Sequence, residues 1–213
     1  MPTSITSSGI TFDDATTQTT SATKAGGIGT TQIANAAVTS EKLASSAVTP
    51  AKLSQPLTLA TAQNTTSGTS IDFTGIPSWA KRITVMLNGV SLSGASFIRI
   101  QIGDGSVVTS GYSSIGVKTN SSATAQETST SGFVIRNGSG ASYSTRGHMI
   151  LSGAGSNVWV SSHCGTTTDG SDNCAVVGGG SISLGGSLDR IRLTTVNGTD
   201  TFDAGSVNIM YEG

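Results

Sequence analysis

The sequence predicts a mostly β protein with an extended N-terminal segment, a short helical repeat shaft and a C-terminal antiparallel β-sandwich, jelly-roll-like in plan. Three observations carry this. Period-two runs of apolar residues recur through the later part of the chain. Every aromatic residue except Phe12 lies after residue 68, so a core of real size can form only there. Between the two parts one phrase is written twice at a spacing of ten, Ala37-Val-Thr-Ser-Glu-Lys-Leu43 and Ala47-Val-Thr-Pro-Ala-Lys-Leu53. The expected boundaries are 1–30 for the N-terminal segment, 31–55 for the repeat and 56–213 for the sandwich.

Residues 1–30 alternate weakly around Ile5, Ile10 and Phe12, then turn polar and Gly-rich. That pattern reads as extended peptide with at most one hairpin, ordered on a partner. The start lacks a basic n-region and an apolar h-region, and no run of about 18 apolar residues occurs, so neither a signal peptide nor a membrane span is expected.

In the repeat, Thr39 and Thr49 are expected helix N-caps, because a side-chain oxygen there can accept from an N–H two or three residues on. Pro50 then falls at the first helical position, where its missing N–H costs nothing. Val38 with Leu43, and Val48 with Leu53, have the spacing of a hydrophobic staple. A helix this short is not stable alone in water. Either the two helices pack on the C-terminal domain of their own chain, or copies of the chain complete one another's core about an axis. Self-association is the expectation, with Ile33, Val38, Leu43, Val48 and Leu53 at the contact.

The remainder reads as strands. Ile83, Val85 and Leu87 alternate against Thr84 and Met86, and Ile98, Ile100 and Ile102 against Arg99 and Gln101. Shorter alternating runs follow at 133–136, 147–152, 157–162, 189–196 and 206–213. Asn88-Gly89, Asn137-Gly138 and Asn197-Gly198 are turn signals. Polar stretches at 103–112, 118–132, 137–144 and 165–173 read as long loops, and loops on a rigid scaffold often carry function. Tyr112 and Tyr143 are the candidate contacts there, since a phenol offers an apolar face and a hydrogen-bonding tip.

Composition narrows the chemistry. A formal net charge of -1 supplies no footprint for nucleic acid or an anionic membrane. Ser and Thr total 66, Gly adds 28 and only 11% of residues are charged, so the surface is hydroxyl-rich rather than ionic. Glycan hydrolysis needs two carboxylates set around one bond, and no acid here sits in a catalytic phrase; no enzyme is expected and no catalytic residue is assigned. His148, His163, Cys164 and Cys174 lack the paired short spacings of a zinc site, and 169–173 lacks the ligand spacing of a calcium hand. No metal or cofactor is expected. Cys164 and Cys174 bracket a polar stretch, and a small disulfide or a pair of free thiols fits equally.

Three stretches resemble known proteins. "GITFDDATTQTTSA" (9–22) is similar to a segment that bacteriophage fibre proteins carry near the N-terminus, and "QIANAAVTSEKLASSAVTPAKL" (32–53) resembles their shaft repeats. "GIPSWAKRITVMLNGVSLSGAS" (75–96) resembles the opening of a β-rich domain of phage tail fibre and head fibre proteins. The resemblance implies a structural protein on the surface of the virion, made in the host cytoplasm, and a homotrimer, since a threefold axis is the usual way to build a fibre. It implies an N-terminal segment held by a tail, baseplate or capsid protein. The sandwich would then meet a host-surface glycan or protein, as in a tail fibre for host attachment. The alternative is a capsid head fibre or decoration protein without an obligate receptor.

Overall fold

In the computed structural model, strands form where apolar residues alternate and also in several stretches where they do not. The structure describes residues 4–6, 9–11, 17–18, 38–39, 43–45, 47–49, 52–138, 140–168 and 173–213. The chain divides into two compact units, Met1–Lys52 and Leu53–Gly213.

In the first unit, β1 (Ser4–Thr6), β2 (Gly9–Thr11) and β3 (Thr17–Gln18) form an antiparallel sheet in that order. Ile5 stands opposite Ile10, and Ile10 opposite Gln18. Two successive antiparallel pairings exceed the single hairpin expected.

The repeat departs from expectation. Among the described residues there is no α-helix, and the residues that Thr39 and Thr49 would cap, 40–42 and 50–51, lie outside them. Instead, single turns close: the Ala47 amide donates to the Ala44 carbonyl at 2.9 Å, and the Lys52 amide to that of Thr49 at 2.9 Å. The ammonium of Lys52 reaches back to the Ala47 carbonyl at 2.8 Å. A decad in which valine and threonine precede each turn can close one turn but cannot repay helix nucleation by propagation. Thr-Pro-Ala-Lys also places proline where a four-residue turn prefers it. Ile33 lies outside the described residues.

The second unit contains fourteen strands among its described residues. They are β4 (Thr58–Leu59), β5 (Gln63–Asn64), β6 (Ser70–Thr74), β7 (Arg82–Leu92), β8 (Ile98–Asp104), β9 (Ser106–Val107) and β10 (Ser113–Thr119), followed by β11 (Thr124–Ser129), β12 (Phe133–Ile135), β13 (Ser144–Gly155), β14 (Val158–Thr168), β15 (Asn173–Ser183), β16 (Arg190–Thr195) and β17 (Phe202–Glu212). A nine-stranded antiparallel sheet runs β11-β10-β15-β14-β13-β7-β17-β4, with β5 also on β17. A five-stranded sheet runs β12-β8-β16-β6, with β9 on β8. Their inward side chains form one core: Ile83, Val85, Leu151, Trp159 and Ile209 from the larger sheet, with Phe73, Ile100, Phe133, Ile191 and Leu193 from the smaller. Each such side chain contributes roughly 1.5–3 kcal/mol relative to exposure.

Asn88-Gly89 is not a hairpin turn. It lies inside β7, where Gly89 has φ of 71° and the pairing with β13 and β17 shifts register. The buried apolar residues are odd-numbered before it (Ile83, Val85, Leu87) and even-numbered after it (Val90, Leu92), as one extra residue in a strand requires. The two-residue hairpin falls instead between β13 and β14, where Ser156 and Asn157 both have positive φ, 50° and 60°. Asn197-Gly198 does turn the chain: its side-chain oxygen accepts from the amides of Thr199 and Asp200 at 3.1 and 3.0 Å.

Two of the four stretches read as loops contain much regular structure. Residues 118–132 include the β10–β11 hairpin, closed by the Asn120 amide on the Ala123 carbonyl at 3.1 Å. Residues 165–168 extend β14, with Thr168 opposite Asn173, and 169–172 lie outside the described residues.

Candidate interaction surfaces

The repeat keeps its apolar side chains in the open. Val38 is 55% exposed, Leu43 45%, Val48 55% and Leu53 49%. They recur at the ten-residue period of the sequence, and none of the four is buried.

A second surface comes from the register of the nine-stranded sheet. Directly paired residues share a face, so the ladder sets Ile115, Gly179, Ser162, Ile150, Thr84, Met210 and Leu59 in one row across seven strands. A neighbouring row runs Val117, Val177, Cys164, His148, Met86 and Asn208, and another Ser113, Ser181, Val160, Ser152, Arg82 and Glu212. All point away from the core. A solvent-facing sheet surface is ordinarily polar, yet Ile115, Val160, Val177 and Leu59 are exposed here and Val117, Ile150, Met86 and Met210 are only half-buried. The charged side chains in these rows are the Arg82–Glu212 pair, 3.3 Å apart. At one side Gly179 and Gly180 leave a trough of about 740 Å³ between Ile115, Ser113, Thr128 and Thr130.

The two candidate phenols lie in different environments. Tyr112 is 3% exposed, packs edge-on to Phe133 at 5.0 Å, and its hydroxyl accepts from the Ile102 amide at 2.8 Å. The same hydroxyl has the carbonyls of Ile102 and Val108 at 3.2 and 3.1 Å. Burial pushes its pKa up to about 12. This corrects the expectation for Tyr112: its ring belongs to the core and its polar tip is satisfied internally, so it has almost no surface for a ligand. Tyr143 is half-buried between β12 and β13, with the Lys118 ammonium 4.8 Å from its ring centre.

His163 presents the opposite situation. It is 6% exposed, on the inward face of β14, and neither ring nitrogen has a hydrogen-bond partner. Burial holds its pKa down at about 4. Leu87, Ile135, Thr145 and Val176 line the small cavity beside it.

Register also settles the cysteines. Cys164 pairs with Val177 and points outward, whereas Cys174 pairs with Thr167 and points inward. Side chains on opposite faces of a sheet cannot be bridged, and Cys164 and Cys174 form no disulfide. Among the described residues no three His, Cys, Asp or Glu side chains gather as a metal site requires.

The outward apolar rows escape a reading built on single alternation. Their signal lies in short runs that are apolar at both parities, Val158-Trp159-Val160 and Ala175-Val176-Val177, which mark strands with something to bury on either side. No protein-family model matches the chain, nor does any curated protein or solved structure.

Proposed function

We propose that this chain is a structural fibre protein of a phage virion: a homotrimer held to the particle by its N-terminal segment, with a jelly-roll-like sandwich displayed for attachment to the host cell. The observation that carries the reading is the repeat. Two identical valine–leucine spacings remain about half exposed in the single chain, and neighbours with the same spacing would cover both in phase. The resemblance of 9–22, 32–53 and 75–96 to phage fibre segments supports the same reading. The contact does not need helices, since turns repeated every ten residues present the same four side chains.

The test is the mass of the full chain by light scattering. Wild type is expected to be a trimer. The double variant Leu43→Asp, Leu53→Asp is expected to dissociate, at roughly 2–5 kcal/mol for each leucine removed from a closed apolar contact. An unchanged trimer with unchanged melting would remove the repeat from the account.

A second reading, a capsid head fibre or decoration protein, gains from the placement of Tyr112 in the core and of 118–132 largely in a hairpin, which leaves less loop surface for a receptor. Tyr143 is the remaining candidate receptor contact. Imaging the intact particle separates the readings, because tail fibres follow the symmetry of the tail and head fibres the sites of the capsid lattice.

A further inference from the structure

We propose that the outer face of the nine-stranded sheet is where copies of this chain pack against one another. This rests on the homotrimer reading and names the surface of the C-terminal unit that serves it.

Charge is the first argument. Near a threefold axis each residue meets its own copies, so a face with net like charge repels itself there. The three rows carry the Arg82–Glu212 pair, which cancels, and one histidine; Arg146, exposed one row beyond His148, marks where the patch ends. Size is the second. Six strands about 4.8 Å apart, over about six residues of 3.4 Å rise, make a patch of roughly 600 Å² before relief. A standard interface takes about 800 Å² from each partner. Shape is the third: Ile115 and Thr128 border a glycine-floored trough at Gly179 and Gly180, so one face supplies both ridge and hollow.

Other occupants fit the chemistry less well. The rows contain no Phe, Tyr or Trp on which a sugar ring could stack, and no cluster of Lys or Arg for nucleic acid or an anionic membrane. A surface of valine, isoleucine, methionine, serine and glycine is best covered by another of the same kind.

Cys164, exposed in the middle of these rows, makes the native chain its own probe, and buried Cys174 is the internal reference. The full chain is treated with a maleimide while its mass is measured in the same sample. In the oligomer, Cys164 is expected to react at least tenfold more slowly than in the denatured chain, and dilution to monomer is expected to restore its rate. An oligomer in which Cys164 reacts as fast as in the denatured chain overturns the assignment of this face and leaves the homotrimer reading, through the repeat, intact. A chain that is monomeric at every concentration overturns both.

Discussion

The two sheets of the sandwich turn opposite chemistry outward. On the five-stranded sheet, Arg192 stands opposite Asp72 and grips it with two hydrogen bonds of 2.7 and 2.6 Å; Thr194, Ser70 and Thr74 share their face. On the nine-stranded sheet, the equivalent positions hold Ile115, Val117, Val160, Val177, Ile150 and Met210. The first arrangement suits water, and its exposed ion pair contributes at most about 1 kcal/mol. The second leaves apolar area in water that a contact would remove. Inside the molecule the polarity is reversed as well, for the larger sheet points an unpartnered histidine into the core. The difference teaches that alternation identifies a strand, while the residues on its outer parity indicate what lies beyond it.

The largest effect that sharpens this comparison concerns Tyr112, which borders the trough from beneath. As a core residue its replacement in Tyr112→Ala is expected to cost roughly 3–5 kcal/mol. Tyr112→Phe should cost about 1–3 kcal/mol, because it leaves the buried Ile102 amide without a partner. Thermal or urea unfolding checks both. Wild-type stability in Tyr112→Ala would move this residue from the interior to the surface.

The next effect is pH dependence. Burial lowers the pKa of His163 from 6.5 to about 4, so the unfolded chain binds a proton at higher pH than the folded one does. Stability is therefore complete above about pH 6.5, falls as pH drops toward 4 and levels off below. The total loss is about 3 kcal/mol at the slope of one proton. Urea midpoints measured from pH 7 to 4 should show this decline in wild type and lose most of it in His163→Leu. A wild-type profile that is flat across that range would place the imidazole in contact with water.

Much of this fold is legible in the sequence, and the failures have physical causes. The cores of β7, β8, β13, β14, β16 and β17 announce themselves because isoleucine, valine and leucine alternate with polar residues. β10, β11 and the middle of β15 do not, since Gly116, Gly178, Gly179, Gly180 and the Ser/Thr of 124–129 remove the contrast on which alternation depends. Those glycines fit close approaches: a Cβ on Gly178 would lie 2.2 Å from the Ile115 carbonyl oxygen, and one on Gly180 2.2 Å from that of Ser113. Asn88-Gly89 misleads because a left-handed glycine serves a bulge as well as a turn; the parity switch from Leu87 to Val90 distinguishes them. The repeat was legible as a repeat but not as a helix. Its spacing describes what must be covered, and local propensity alone does not make ten residues helical. Tyr112 illustrates the same limit, because nothing local tells a loop tyrosine from one folded back into the core.

The smallest expected effect on stability gives the most direct test of the central claim, that the two outer faces meet different neighbours. Val177→Asp and Thr74→Asp each add one carboxylate to an outward position, the first amid the apolar rows and the second opposite Arg190. Both full-length variants should fold; Thr74→Asp should melt within about 1 kcal/mol of wild type, as surface substitutions do, and Val177→Asp should melt lower only by the stability that assembly adds. Sedimentation at matched concentration is the measurement. Val177→Asp should fall from the wild-type mass toward the single-chain 21.3 kDa while Thr74→Asp keeps the wild-type mass. If both variants sediment as wild type does, or both dissociate alike, the two faces are equivalent and the account is wrong.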